Sequence, residues 1–335
     1  MSETRHVVLV TYGEPPTPSF VDQLVYSWRI LIGLTRTVAP IPQALVPLIA
    51  LSRARGRRAS WREHGYASPL EPITERQAEA LRAALAGSGD HADVAANGGA
   101  SPWQVHVAYE FRKPLVADVL GALPAHESVT IVPMYAAESA FTHALSRSAA
   151  EDYVRAVSRP GPVTVADPID VMTVADMSAA HVLEHTPPDW RGQDVALVLA
   201  AHGTVLNPPK PIDTGLAATE AIREAIATRL TPHFGTVVNG WLNHTRGGKW
   251  TDPPIEEALS DLATAGYTRI VYYPYGFLAD NAESELEGRV ALAGLDGVAS
   301  RHLPCLNESP VLAAALARIV QASPVAKAAS TASAA

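Results

Sequence analysis

Residues 195–204 read VALVLAAHGT, seven Val, Ala and Leu residues leading into a histidine and then a glycine. A continuous apolar run of this kind reads as a strand buried on both faces. His202 then stands at the strand's carboxyl end, and Gly203 after it allows close backbone approach. A neutral imidazole in that place can accept a proton or bind a metal ion, and it can equally be a hydrogen-bonded structural residue. A second group is acidic. In FLADNAESELE, 277–287, Asp280, Glu283 and Glu287 are three and four apart, which puts them on one face of a helix. Acids at the start of a helix complement its positive end. The same spacing also makes a carboxylate ladder that can pass protons or hydrated metal ions. On these residues alone both readings stay open.

Other chemistries lack their residues. The chain has no G-x-S-x-G elbow, no G-x-G-x-x-G fingerprint and no H-E-x-x-H. RGGKW at 246–250 is no P-loop, because Trp250 stands where Ser or Thr binds magnesium. Cys305 is the single cysteine, so no internal disulfide, cysteine zinc site or cysteine-ligated iron–sulfur cluster is expected. As a separate expectation, no cofactor is permanently bound. A net charge of −8 does not favour nucleic acid. MSETRHVVLV lacks the zones of a signal peptide, so a cytoplasmic protein is expected, and Asn243-His244-Thr245 reads as ordinary sequence.

The elements that must position these residues alternate. Apolar β-branched runs occur at 7–10, 105–108, 129–132, 195–200, 236–239 and 269–273, with helical patterns at 74–85, 215–230 and 254–265 among them. Such alternation predicts parallel sheets covered on both faces. The pattern also appears twice: VVLVTYG opens one half and VALVLAAHG the other, and VTIVPMYAAES at 129–139 echoes RIVYYPYGFLADNAES at 269–284. Two similar lobes are expected, 1–160 and 161–322, with a small-residue tail at 323–335 expected to be disordered. Ligands of open α/β sheets lie beyond the strands' carboxyl ends, where Tyr12, His202 and the segment after Pro274 fall. One stretch departs from this scheme. PIPQALVPLIAL at 40–51, followed by SRARGRR, is too short to span a bilayer. It reads equally as a packing helix with a solvated basic end or as peripheral membrane contact through 40–58 at the membrane's inner face.

Five blocks, in order, resemble the ferrochelatase family. VLVTYGEP at 8–15 is similar to its opening strand and loop, and the segment 36–70 to its lip and G-S-P-L block, here Ala67-Ser68-Pro69-Leu70. AAHG at 200–203 stands where the family has S-A-H, YYPYGFLADNAESELE at 272–287 where it has P-x-G-F-x-x-D-H-x-E-T-L-x-E, and PCLNESP at 304–310 where it has P-C-L-N-D-S-P. The resemblance implies an α/β fold of two similar Rossmann-like lobes, each a parallel four-stranded sheet flanked by helices, with a porphyrin in the cleft between them. It implies insertion of ferrous iron, as substrate, into protoporphyrin IX or coproporphyrin III in haem biosynthesis. His202 matches the family's pocket histidine and Glu283 its catalytic glutamate. His202, Glu283 and Glu287 would meet the metal, and Tyr12, Arg29 and Trp250 the porphyrin. A chelatase for another divalent metal or tetrapyrrole, or a tetrapyrrole carrier without turnover, shares the same resemblance.

The sequence also departs from the family pattern. Glu110 stands where the family has an arginine, and Glu138 and Ser139 replace an aromatic–hydroxyl pair. Asn281 takes the place of a histidine of the acidic ladder, Arg289 that of a further acid, and Arg246 is displaced within NHTRGGKW. Arg112 and Lys113, close to Glu110, are candidates to restore positive charge there.

Overall fold

A computed structural model describes residues 4–37, 42–87, 103–242 and 249–323. The chain forms two compact units, each built on one all-parallel four-stranded sheet with helices packed on it. The first sheet joins β1 (Arg5–Thr11), β2 (Trp103–Tyr109), β3 (Ser128–Pro133) and β4 (Val163–Val165) in the order β2-β1-β3-β4. The second joins β5 (Gly192–His202), β6 (Phe234–Leu242), β7 (Arg269–Tyr273) and β8 (Ala299–His302) in the order β6-β5-β7-β8. The two orders are the same topology, which is the repeat seen in the sequence. The central strands β1 and β5 are fully buried over Val7–Val10 and Val195–Ala200, as parallel strands covered on both faces must be. β4 and β8 were not legible: each is a short edge strand, half-buried or exposed, with too few residues to show a period.

The compact units are not divided by a single cut at residue 160. Glu14–Leu70 belongs with the second sheet, and Asn307 onward with the first. Packing explains both assignments. The carboxyl-terminal helix (Pro310–Ala322) lies against β3, and Ser323, buried after it, has its hydroxyl 3.4 Å from that of Thr130. The rest of the expected tail lies outside the described residues. In the second unit, α1 (Phe20–Thr37) buries Gln23, Tyr26, Ser27 and Leu31, a helical spacing that defines one face. It packs on α2 (Val46–Glu63), where Val46, Ala50 and Ala54 are buried at i, i+4 and i+8. At the far end of α2, Trp61 meets Tyr66 edge-on and both pack on Leu286, beside the acidic segment. Within the stretch 40–58, Val46–Ala54 packs as a helix on α1, while Leu45 and Leu48 remain exposed; Pro40 and Ile41 lie outside the described residues. No helix among the described residues is long and apolar enough to cross a membrane.

Candidate active site

His202 is the last residue of β5, paired in register with Leu242 of β6. Behind it the loop after β7 closes down: the Gly276 amide donates to the Ala200 carbonyl at 3.2 Å. A Cβ on Gly276 would come within 2.8 Å of the Ala201 Cβ, so only glycine admits this approach. The loop then enters a π-helix, Ala282–Glu287, the segment that carries Glu283 and Glu287. A π-turn is rare and tends to appear at functional sites. The next residue, Gly288, is as constrained, because a Cβ there would lie 2.7 Å from the Tyr272 ring.

The pair that results is direct. His202 Nδ1 lies 2.7 Å from Glu283 Oε1 and 2.9 Å from Oε2, across 81 residues of sequence. With Nδ1–H donating to the carboxylate, the neutral ring carries its lone pair on Nε2, which has no hydrogen-bond partner among the described residues. The imidazole side chain keeps 52% of its surface open and Glu283 17%. Desolvation pulls the His202 pKa down, but the charge and hydrogen bond of Glu283, with the charge of Glu287, outweigh it, and the net shift is upward. Arg53 of α2 opposes this more weakly. Such a group is a strengthened base whose open nitrogen can take a proton or touch a metal ion.

The expected ladder is only partly assembled. Asp280 lies before the π-helix, and its Oδ1 accepts the Cys305 amide hydrogen at 2.8 Å, so it braces a loop. Among the described residues no three His, Cys, Asp or Glu side chains are gathered to hold an ion. Glu287 acts on His202 through its charge. Asn281 explains its own departure: its Oδ1 accepts from the amides of Glu283 at 2.9 Å and Ser284 at 3.2 Å, capping the helix. Trp250 forms a bridge with Val205, three residues beyond His202, and Arg29 is half-buried on α1. Arg246 and the sequon lie outside the described residues. In the first unit, Tyr12 follows β1, donates its hydroxyl to the Phe141 carbonyl at 2.8 Å and stacks on Phe111. Sequence reading missed Glu14, which is buried and lies close enough to Glu283 to feel its charge.

Over residues 4–323 the chain matches the ferrochelatase family model. It belongs to the ferrochelatase family. A ferrochelatase of Geotalea daltonii is 26% identical over 340 residues, covering 96% of this chain and 98% of its own. Among solved structures it is similar to a multi-domain protein of Deinococcus radiodurans described as structurally similar to chelatases, with a TM-score of 0.52 and 18% identity. The match covers 95% of this chain but 55% of that one, which has two additional domains. SirB from Bacillus subtilis, solved with Fe3+, gives a TM-score of 0.50 at 14% identity, covering 95% and 94%. At these identities the two structures show the fold. Family membership makes the chain a tetrapyrrole metal chelatase.

Against the family pattern, Glu110 is the most conspicuous exchange, and its surroundings soften it. Burial raises its pKa to about 7, and the Ser146 hydroxyl, donating to Oε1 at 2.6 Å, recovers only part of that cost. Near neutral pH the carboxyl is therefore about half protonated rather than a full negative charge. Glu138 is paired with Arg147 at 2.5 Å. Arg112, a candidate to compensate Glu110, is instead engaged by Glu71 at 2.5 Å. A carboxyl with a raised folded pKa contributes stability fully below its unfolded value, 4.5, and loses it as pH rises through about 7. Glu110→Gln, isosteric and uncharged, is expected to stabilise the protein at about pH 8.5 by on the order of 2 kcal/mol more than at about pH 4.5. Denaturant unfolding at the two pH values checks this, and an equal effect at both would show that burial does not raise the Glu110 pKa.

Proposed function

We propose that this ferrochelatase-family protein inserts ferrous iron into a porphyrin, protoporphyrin IX or coproporphyrin III, in haem biosynthesis. The observation that carries the reading is the His202–Glu283 pair, with Nε2 of the imidazole left open. Metalation exchanges one divalent cation for the two N–H protons of the macrocycle and needs no covalent intermediate. His202 accepts the two protons in turn at Nε2 as each leaves a pyrrole nitrogen, releasing the first to water before the second comes off, and the Glu283 carboxylate stabilises the imidazolium formed each time. Glu283 and Glu287 offer oxygen ligands that a hydrated ferrous ion can exchange for water, so the metal meets carboxylates before it meets the ring. Tyr12, Arg29 and Trp250 are assigned to porphyrin contact, Arg29 facing a carboxylate substituent.

Imidazole and carboxylate ligands do not by themselves select iron over cobalt or nickel, so the test runs metals and tetrapyrroles in parallel. Purified protein is supplied anaerobically with ferrous iron and either protoporphyrin IX or coproporphyrin III, and the visible spectrum is followed. Metalation well above the protein-free rate supports the reading and names the substrate. Tight porphyrin binding without metalation by iron, cobalt or zinc would replace it with a carrier.

A further inference from the structure

The π-helix Ala282–Glu287 begins with three amide hydrogens that no helical carbonyl can take. Asn281 accepts two of them, from Glu283 and Ser284. The third, from Ala282, is accepted by a residue 268 positions away: Glu14 Oε2, at 3.1 Å. The same oxygen accepts the Ser68 hydroxyl at 2.6 Å. Glu14 is buried, as is Ser68, so this carboxyl ties the loop after β1 and the Ala67–Leu70 block to the residue before Glu283. On the α1–α2 side stands Arg57, whose guanidinium lies 4.9 Å over the Tyr26 ring and donates to Gln23 Oε1 at 3.2 Å. Its charge favours the carboxylate form of Glu14, against desolvation and the nearby Glu283 charge, which disfavour it.

We propose that Glu14 is a positioning residue of the chelatase site, anchoring the first turn of the π-helix so that Glu283 is held against His202. Its working group is a hydrogen-bond acceptor at the end of a side chain of glutamate length. An anchor one residue from Glu283 sets the direction in which that carboxylate leaves the backbone. A buried amide left without its acceptor opens the turn to competing conformations.

The test compares Glu14→Met, of similar length but with no oxygen, with Glu14→Gln, which keeps the acceptor and removes the charge. Hydrogen exchange of the amides at 282–284 is expected to quicken about tenfold or more in Glu14→Met and to stay near the parent in Glu14→Gln. Under the assay above, Glu14→Met is expected to lose roughly 10- to 100-fold in kcat with porphyrin KM within about twofold, and Glu14→Gln to recover most of it. Should Glu14→Met fail to fold, Glu14→Asp, one methylene short, is expected to move both readouts the same way. Unchanged exchange, unchanged kcat, or a Glu14→Gln as impaired as Glu14→Met would overturn the assignment. The kinetic arm rests on the proposed activity, whereas the exchange arm does not. Faster exchange rescued by Gln, in a protein that metalates no porphyrin even as the parent, upholds the anchor and overturns the activity.

Discussion

His202→Ala is expected to metalate porphyrin roughly 10²- to 10⁴-fold more slowly than the parent, the range that a positioned general base contributes. Its porphyrin affinity should change little, by about threefold or less, because the imidazole is half-exposed and spends its one protein hydrogen bond on Glu283. The fold should survive as well. His202 closes a strand whose buried residues, Val195–Ala201, make the core without it. Porphyrin titration followed by fluorescence quenching, and anaerobic turnover on the same preparation, separate binding from chemistry. A variant that keeps more than half of the parental turnover would remove His202 from the mechanism. One that loses turnover and porphyrin binding together would make the histidine a binding residue.

The histidine was legible because two local signals coincide at it: an apolar run too long to be half-exposed, and a glycine immediately after. Glu283 was legible by spacing, though not for the right geometry. The i, i+3, i+4 pattern from Asp280 describes an α-helix, whereas the chain caps at Asn281 and winds a wider π-turn, which leaves Asp280 outside to bind the Cys305 amide. Asn281 looked like a lost ladder histidine. In place it is an amide oxygen doing what an imidazole does poorly, accepting two backbone hydrogens at once. Glu14 carried no signal, since a glutamate between glycine and proline reads as a solvated loop acid. Its importance comes from a partner 268 residues away, and pairing at that distance leaves no period for sequence to show. The same reason hid the division of the chain. Helices α1 and α2 sit among first-half strands in the sequence, and the contact of Trp61 and Tyr66 with Leu286 shows which unit they belong to. Glu110 was legible as a departure but not in its charge, which depends on burial and on a serine 36 residues on.

Glu283→Gln is expected to cut kcat by roughly 10²-fold and to shift the acid limb of its pH profile to lower pH. The amide oxygen still accepts the Nδ1–H of His202, so the ring keeps its orientation and tautomer while losing the adjacent charge. In the parent, that charge and hydrogen bond overcome desolvation and hold the His202 pKa above the ordinary 6.5. A histidine whose folded pKa is raised contributes its pairing energy fully below the unfolded value, and loses it as pH rises through the folded one. On the proposed mechanism, the free base of the parent therefore becomes the majority form at higher pH than in an ordinary histidine. In the variant, desolvation is opposed mainly by the more weakly acting Glu287, and the base appears earlier on the pH scale. Basicity falls with it, so the gain in free imidazole at low pH comes with a poorer proton acceptor, and kcat drops at every pH. Titration of the His202 ring by heteronuclear NMR, beside the kcat profile, checks both halves. An unmoved limb with parental kcat would mean that the 2.7 Å contact is structural, and that the proton from the ring leaves by another group.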